Sequence, residues 1–333
     1  MSGGAVMAAE MAEQPEVLSR LVAAFDDHAA AVAAALPADV AGVQLVARGS
    51  SDHAATYGRY LAELASGRPA GLVAPSLHAR YDAKVDYRGH VVVALSQSGA
   101  TPEVVDVTRR LAAAGAVTVA IVNDPDGPLA REAHVVIAVG AGPERAVPAT
   151  KSVTAQFVAT AAVAAALGPL PFATAELAAL PGAVAAVLAD PGPAEALARA
   201  WTTTDRLVVS GRGLLSAAAG EIALKVQETA GVLAEGLSSV DLLHGPIGAT
   251  GPGVPVLVLD DDGPTRADAA ELRRRLAGFG APVGELPLDG GVPWGLAPVV
   301  AIARGQQLAL ALARARGRDA DAPPGLLKVT ATT

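Results

Sequence analysis

Residues 91–101 read VVVALSQSGAT, an apolar run that leads directly into a turn rich in hydroxyl groups. The run Val91–Leu95 predicts a buried β-strand, since it is short, apolar and rich in β-branched residues. The segment from Pro102 to Ala114 predicts an α-helix, with Thr101 as its N-cap. A strand, a turn and a helix in this order are typical of a parallel sheet, whose ligands bind at the carboxyl ends of the strands.

The same alternation continues along the chain and is repeated in its second half. An Arg-Gly pair at Arg48 follows the first strand of one half, and a similar pair at Arg212 follows the first strand of the other, which indicates an internal repeat. We therefore predict an α/β protein with two doubly wound, flavodoxin-like parallel-sheet domains in tandem. The other predicted strands are Val43–Ala47, Val117–Val122, Val135–Val139, Arg206–Ser210 and Val254–Leu259, and the other predicted helices run from Asp52 to about Ala65, Leu215 to Thr229 and Ala267 to Gly278.

The boundary between the halves is predicted in the segment from Pro181 to Pro193, which is rich in Ala and Pro. Such a segment is typical of a connection, because proline interrupts helices and strands. We expect one domain over residues 1–190, a second over 191–320 and a C-terminal tail over 321–333.

Composition restricts the classes of function. The chain has 333 residues with 33 acidic and 25 basic side chains, and its formal charge of -8 disfavours a nucleic-acid partner. The absence of cysteine excludes disulfides, thiolate metal sites and cysteine nucleophiles. The longest apolar stretch, Phe157 to Leu167, is too short to span a membrane, and the N-terminal segment lacks the basic region of a signal peptide. We expect a cytoplasmic protein without a membrane partner.

Two turns offer hydroxyl and backbone N–H donors for an anion. The turn from Ser96 to Gly99 follows a predicted strand and leads into a helix, whose N-terminus favours negative charge. Ser51 lies in a similar turn after another strand, so we expect both turns to hold one phosphate group. The alternative is that Ser and Gly merely suit a tight turn and a helix cap. Neither GxxxxGK[ST] nor GxGxxG occurs, which disfavours a nucleotide.

Two other groups of polar residues do not favour a metal site. The run Asp260-Asp261-Asp262 resembles an acidic metal-binding cluster, but it fits a solvated turn at the end of a strand better. His53 and His134 show no HxxxH or HExxH spacing, so zinc has little support. We predict no metal and no cofactor.

Several segments, in order along the chain, resemble the sugar isomerase (SIS) family. They are EMAEQP, ARGSSDHAATYGRYLAE, LSQSGATPEVV, AVPATKSVTAQ, ALKVQETAGVLAEGLSSVDLLHGP and LLKVTATT. The chain is similar to the isomerase half of glucosamine-6-phosphate synthase and to the stand-alone SIS-type glucosamine-6-phosphate deaminases. The resemblance runs nearly end to end and implies two SIS domains.

The resemblance also implies roles for individual residues. Glu228 matches the base that moves a proton between C1 and C2 of the sugar, and His244 matches the ring-opening histidine. Lys328 matches the tail lysine that contacts the open-chain sugar and can form a Schiff base. Lys225, on the same helical face as Glu228, is expected to contact the substrate. The remaining substrate positions are Ser51, Ser96, Gln97, Ser98 and Thr101 around the phosphate, and Val147 and Ala149 on the loop beside the sugar, where relatives often carry Val and Ser.

The chemistry of these residue types agrees with those roles. Isomerising a 2-amino aldose requires ring opening and transfer of a proton next to a carbonyl or imine, and a positioned base contributes about 10²–10⁴-fold. An imidazole can shuttle the ring hydroxyl's proton near neutral pH, and an amine can form an electron-withdrawing iminium. Taken singly, Glu228, His244 and Lys328 could each be ordinary solvated residues. Their joint match to the family favours the catalytic roles.

Three features favour the reaction of the deaminases over that of the synthase. We expect no glutaminase domain, which supplies ammonia in the synthase, because the 333 residues contain no cysteine and leave no room for it. Leu243 and Gln227 stand where synthases usually carry Lys, and the tail KVTATT is closer to that of the deaminases. We predict that a homodimer, with His244 completing the neighbouring subunit's site, converts glucosamine 6-phosphate to fructose 6-phosphate and ammonia. The alternatives are a fructosamine-6-phosphate deglycase, another sugar-phosphate isomerase, and a non-catalytic sugar-phosphate-binding protein.

Overall fold

A computed structural model of the chain describes residues 3–288 and 291–328. These residues form two compact units that interleave along the chain. One unit, called here the five-strand unit, takes Val17–Pro143 and Ser152–Ala173. The other, the four-strand unit, takes residues 3–16, Glu144–Lys151 and Thr174–Lys328.

Short strands and helices alternate, as the sequence predicts. The strands are β1 (Gly42–Val46), β2 (Ala70–Leu72), β3 (His90–Ser96), β4 (Val117–Val122), β5 (Val135–Ala138), β6 (Arg206–Ser210), β7 (Leu233–Leu237), β8 (Val256–Val258) and β9 (Val283–Gly284). The α-helices are α1 (Ala5–Ala12), α2 (Gln14–Ala23), α3 (Phe25–Ala35), α4 (Ser50–Ser66), α5 (Pro75–Ala79), α6 (Pro102–Ala113), α7 (Pro128–Arg131), α8 (Lys151–Leu167), α9 (Leu180–Ala189), α10 (Gly192–Ala200), α11 (Leu215–Ala230), α12 (Ser239–Leu243), α13 (Arg266–Phe279) and α14 (Ala297–Ala315). Two short 3₁₀ turns cover Thr174–Ala179 and Pro246–Ala249.

The five-strand unit is built on a parallel sheet in the order β2-β1-β3-β4-β5. On one face of β3, Val92 and Ala94 pack in a cluster with Val104 and Leu111 of α6. On the other face, Val93 lines a small cavity together with residues of α4 and α8. Burial on both faces explains why the strand is continuously apolar. The predicted α/β class with a parallel sheet is confirmed, and the strand order reverses between β1 and β3, where such sheets bind ligands.

The four-strand unit is built on a second parallel sheet in the order β7-β6-β8-β9. This order repeats that of the first four strands of the other sheet. Val256 and Val258 of β8 pack against Leu272 and Leu276 of α13. Helix α14 is buried along most of its length and packs against α11. The helix that carries the predicted base is therefore held between a sheet and a buried helix.

The segment from Pro181 to Pro193, which is predicted to connect the two halves, lies mostly within two helices. Pro181 lies in the first turn of α9, and Pro193 lies in the first turn of α10. Proline is tolerated at these positions, because the first N–H groups of a helix have no intrahelical acceptor. The unpredicted strands β2, β7 and β9 read AGL, LAEGL and VG, and this composition gives little β-strand signal.

The predicted domain division stays a prediction. The two units are defined by contacts and exchange segments along the chain, so they are a different division from domains over residues 1–190 and 191–320. Of the predicted tail, residues 329–333 lie outside the described residues.

Over the described ranges, 3–288 and 291–328, no single helix is long and apolar enough to cross a membrane. One bent pair, Thr174–Ala189 with Gly192–Ala200, would pass the same criteria of length and composition.

The contact between α11 and α14 leaves no room at Gly305. A Cβ there would overlap Cγ1 of the buried Ile222 and lie 2.7 Å from its Cδ1. We expect Gly305→Ala to lower the free energy of unfolding by about 1–3 kcal/mol, the cost of overpacking a core. Gly278 of α13 has nothing within 4 Å of the same added atom, so Gly278→Ala should be neutral or stabilising. Urea denaturation of both variants checks the pair, and equal effects would contradict this account of the packing.

Candidate active site

The two predicted phosphate turns lie at the carboxyl ends of β1 and β3, where the strand order reverses. Ser51 is buried in the first turn of α4, and Ser96 is the buried last residue of β3. An ion pair joins the two turns, because Nε of Arg48 lies 2.9 Å from Oε2 of Glu103 in α6. The structure therefore brings these two turns together, as the sequence predicts.

The turn after β3 is closed by its own hydroxyl groups. Oγ of Ser96 lies 3.2 Å from Oγ1 of Thr101, and Oγ of Ser98 accepts the backbone N–H two residues on at 3.2 Å. Gly99 has a φ of +62°, a left-handed conformation that disfavours a side chain. Gln97 is half-buried beside it. The turn is thus preformed, with its hydroxyl groups gathered at the end of the strand.

Helices α4 and α6 begin at these turns without a side-chain cap. Thr101 occupies the N-cap position of α6 and Pro102 follows it, as predicted, but the Thr101 hydroxyl contacts Ser96 instead of the helix. The first N–H groups of a helix lack intrahelical acceptors, and the helix dipole adds partial positive charge there. Both turns therefore suit an anion.

Three charged side chains share one face of α11 in the four-strand unit: Glu221, Lys225 and Glu228. Nζ of Lys225 lies 3.5 Å from Oε1 of Glu221 and forms a second, short ion pair with Glu228. The side chains of Glu221 and Lys225 are 0% and 1% exposed, whereas that of Glu228 is 21% exposed. Glu228 is thus the member of the group whose carboxylate a ligand can reach.

The pKa of Lys225 is raised although the side chain is buried. Burial by itself lowers the pKa of an amine, but the charges of Glu221, Glu228 and Glu144 favour the ammonium form and outweigh that effect. Lys225 is therefore a buried cation, and it offsets part of the negative charge of Glu228.

The predicted tail lysine has a buried carboxylate as its partner. Nζ of Lys328 lies 2.8 Å from Oε2 of Glu144, and the two side chains are 23% and 0% exposed. Oε1 of Glu144 accepts the N–H of Thr150 at 3.0 Å. Because the charge of Glu144 also acts on Lys225, the tail lysine and the charged face of α11 belong to one electrostatic neighbourhood.

The loop that carries Glu144 also carries Val147 and Ala149, both half-buried. Buried Glu10 of α1 accepts the backbone N–H groups of the two residues that follow Glu144. Burial raises the pKa of Glu10, the first of those N–H bonds lowers it, and the charge of Glu144 raises it again. The net effect is a raised pKa of Glu10. Its surroundings therefore disfavour the charged form of the carboxyl group that binds the loop.

The segment before Lys328 is attached to the first helix by Asp321. Its carboxylate accepts the N–H groups of Val6 and Met7, in the first turn of α1, at 3.1 and 2.7 Å. Its carbonyl oxygen accepts the N–H of Val147 at 2.9 Å. Asp321 thus caps α1 from a distant part of the chain and joins the tail segment to the loop beside it.

His244 occupies a different environment. It follows α12, and its side chain is exposed at the surface of the four-strand unit. The neighbouring Leu242 is buried in the cluster under β8. The turn that carries His244 is therefore fixed by the burial of Leu242, while the histidine side chain is exposed. Glu228 and Lys328, in contrast, form ion pairs with buried side chains.

The chain is similar to known proteins in sequence and in fold. The family model that matches the chain is the SIS domain, over residues 39–166. A protein of Silicibacter pomeroyi assigned to the phosphosugar isomerases is 35% identical, and its structure matches with a TM-score of 0.86 over 95% of this chain and 99% of that one. The chain belongs to the SIS-domain family.

Two further proteins are similar to this chain, one in sequence and one in fold. Glutamine–fructose-6-phosphate aminotransferase (isomerizing) of Caulobacter vibrioides is 31% identical over 267 residues, which cover 76% of this chain and 44% of that protein. The structure of glucosamine-6-phosphate deaminase of Thermotoga maritima matches with a TM-score of 0.81 over 98% of this chain and 100% of that one, at 21% identity, which shows a shared fold. The matched region thus spans less than half the length of the Caulobacter protein. The SIS-domain model covers the strands of the five-strand unit.

Sequence reasoning missed two carboxylates of this SIS chain, Glu144 and Glu221. Glu221 lies four residues before Lys225, and this spacing places two side chains on one helical face. Glu144 has no such local signal, since its partner Lys328 lies 184 residues further on.

The acidic run after β8 behaves as a turn. Oδ1 of Asp261 accepts the N–H of Gly263 at 2.8 Å, and Oδ2 of Asp260 accepts from Nη1 of Arg273 at 2.9 Å. In the part of the chain that the structure describes, no group of three or more His, Cys, Asp or Glu side chains could hold a metal ion.

The buried ion group of α11 predicts a large effect on stability. Lys225→Met leaves two carboxylates without their shared cation, so we expect the free energy of unfolding to fall by about 3–5 kcal/mol at neutral pH. Because the pKa of Lys225 is raised in the folded state, its contribution is present below the ordinary lysine value and is lost as the pH rises through the raised value. The difference between the two proteins should therefore hold from about pH 7 to 9 and shrink above about pH 10.5.

Urea denaturation across this range measures that difference. The matched control is Lys84→Met, since Lys84 is 82% exposed in its pair with Asp82 and should contribute little. A small effect of Lys225→Met at pH 7, similar to that of the control, would contradict the proposed burial of charge.

Proposed function

We propose that this SIS protein isomerises and deaminates an amino-sugar phosphate, and that its substrate is glucosamine 6-phosphate, giving fructose 6-phosphate and ammonia. The observation that carries the proposal is the charged face of α11, where Lys225 is fully buried and Glu228 is partly open. A base needs such an arrangement, with its carboxylate held in place while one side stays accessible to substrate.

In the proposed reaction, the opened sugar presents an aldehyde at C1 and an amine at C2. Glu228 removes the proton from C2 and returns it to C1, and one proton of the amine moves to O1, which leaves an imine at C2 and a hydroxymethyl group at C1. Water then adds to C2, and ammonia leaves. Lys225 stabilises the negative charge of Glu228, and Lys328 supplies the amine for imine chemistry on the open-chain sugar.

The phosphate group is proposed to bind at the turns after β1 and β3. The preformed turn at Ser96 and Ser98, the uncapped start of α6 at Thr101, and the neighbouring Ser51 support this assignment. Gln97 is proposed to contact the same phosphate, while Val147 and Ala149 are proposed to lie beside the sugar.

The assembly and location are also proposals. We propose a cytoplasmic homodimer in which His244 opens the sugar ring in the neighbouring subunit's site, and the exposure of His244 supports such a reach. We also propose that the second sheet is a second SIS domain, since its strand order repeats that of the first. No metal or cofactor enters this mechanism.

The phosphate assignment predicts a loss of affinity. Ser96→Ala combined with Ser98→Ala removes two donors to a dianion, each worth about 1.5–3 kcal/mol. We expect the affinity for fructose 6-phosphate, measured by calorimetry, to fall at least about tenfold. Ser66→Ala is the control, because its hydroxyl donates to a carbonyl of its own helix, α4. Unchanged affinity in the double variant would remove this turn from the site.

The reaction is tested by coupled detection of ammonia. We expect the wild-type protein to release ammonia and fructose 6-phosphate from glucosamine 6-phosphate without glutamine or added metal. Glu228→Gln should bind the substrate but lose most of the rate, about 10²–10⁴-fold, because an amide cannot accept the proton. The exposed Glu235 offers the matched control, Glu235→Gln, which should keep the wild-type rate.

Two results would contradict the proposed reaction. Release of an amine from fructosamine 6-phosphate derivatives, without ammonia from any hexosamine 6-phosphate, would favour a deglycase. Tight binding of sugar phosphates without turnover would favour a sensor.

A further inference from the structure

The buried carboxylate of Glu144 is hydrogen-bonded to the loop residue Thr150 and to the tail lysine, Lys328. Its side chain is fully buried, and Oε1 accepts both the N–H and the hydroxyl of Thr150, at 3.0 and 3.4 Å. Oε2 accepts from Nζ of Lys328 at 2.8 Å. Lys328 is the more exposed member and extends from a chain segment without regular secondary structure, so the lysine is the partner that can move.

The loop that carries Glu144 is also hydrogen-bonded to two helices, α1 and α14. Glu10 of α1 accepts the backbone N–H groups of Arg145 and Ala146. Nε2 of Gln306, in α14, donates to the carbonyl oxygen of Thr150 at 3.2 Å. Because the backbone before and after this loop is held by hydrogen bonds, the carboxylate of Glu144 can keep its position while Lys328 reacts. A proton acceptor requires such a fixed position.

Because Lys328 is paired with a carboxylate, its amine must lose a proton before it can react with a sugar. An amine must be neutral to attack a carbonyl carbon, and an amine paired with a carboxylate is held as the ammonium ion. The proton therefore has to leave Nζ before a Schiff base forms. Glu144 is already at hydrogen-bond distance from this proton.

We infer that Glu144 is a catalytic residue that takes a proton from Lys328 as the lysine attacks the open-chain sugar and returns it to the departing oxygen. This inference rests on the proposed function. A bond forms between Nζ and the carbonyl carbon of the ketose, and one nitrogen-bound proton moves to the carbonyl oxygen. The proton held by Glu144 then joins that oxygen, which leaves as water. The product is an iminium that keeps the third proton on nitrogen, and Glu144 is again a carboxylate.

The experiment traps this iminium on the whole chain of 333 residues. Wild-type protein is incubated with fructose 6-phosphate and sodium borohydride, and the rate of adduct formation at Lys328 is followed by peptide mass mapping. We expect Glu144→Gln to slow trapping at pH 7 by at least about tenfold, since the amide cannot accept the proton. Its affinity for fructose 6-phosphate, measured by calorimetry, should stay within about threefold of wild type.

The matched control is Glu13→Gln. Glu13 also pairs with a lysine of the four-strand unit, since its Oε2 lies 2.5 Å from Nζ of Lys151. The same change of carboxylate to amide should leave trapping at Lys328 at the wild-type rate. An equal loss in both variants would show a general structural effect and overturn the inference.

The dependence on pH separates proton transfer from simple positioning. Without Glu144 the lysine must lose its proton to solvent base, so trapping in Glu144→Gln should accelerate steeply as the pH is raised from 7 to 9. Wild type should rise less steeply. The other charged groups that act in this neighbourhood, Glu10 and Lys225, are unchanged in both proteins.

A second variant keeps the test decisive if Glu144→Gln does not fold. Glu144→Asp retains a carboxylate but withdraws it by one methylene, so trapping should be intermediate and keep the shallow pH profile. Trapping as fast in Glu144→Gln as in wild type would overturn the inference and leave the proposed function intact. Wild-type protein that neither binds nor is trapped by any sugar phosphate would instead overturn the proposed function.

Discussion

A charge removed from water must be compensated, and this constraint organises the four-strand unit. Lys225 is buried in α11, and its position is tolerated because Glu221 and Glu228 lie one helical turn to either side. Glu144 is buried in a loop, and Lys328 is its compensating cation. The helix, the loop and the tail segment are therefore tied together by the pairing of charges as well as by the packing of apolar side chains.

The candidate phosphate turns of the five-strand unit depend on hydrogen-bonding groups instead of buried ions. At the turns after β1 and β3, hydroxyl groups and the first N–H groups of two helices gather at one edge of a parallel sheet. The formal charge of the chain is -8, so long-range attraction does not favour a phosphate dianion. The affinity for a phosphate group must therefore come from hydrogen-bond donors in the turn itself. The left-handed conformation of Gly99 and the contact of Thr101 with Ser96 hold that turn in shape.

Much of the fold could be predicted from residues whose signals are local. The β-branched run at Val91 and the Pro at position 102 mark a buried strand and a helix start because each signal acts within a few residues. Short strands such as β9 carry almost no pattern, since two residues give no alternation. Glu144 could not be paired with Lys328 from the sequence, because nothing local distinguishes a glutamate whose partner lies 184 residues away.

The cap that Asp321 provides for α1 also affects the order in which the chain can fold. Val6 and Asp321 are separated by 315 residues, so on a ribosome the first helix waits for its cap for roughly 15–60 s at ordinary elongation rates. The residues of the five-strand unit are all synthesised within that interval. Helix α1 is therefore among the last elements to reach its native contacts, although it is made before every other helix that the structure describes.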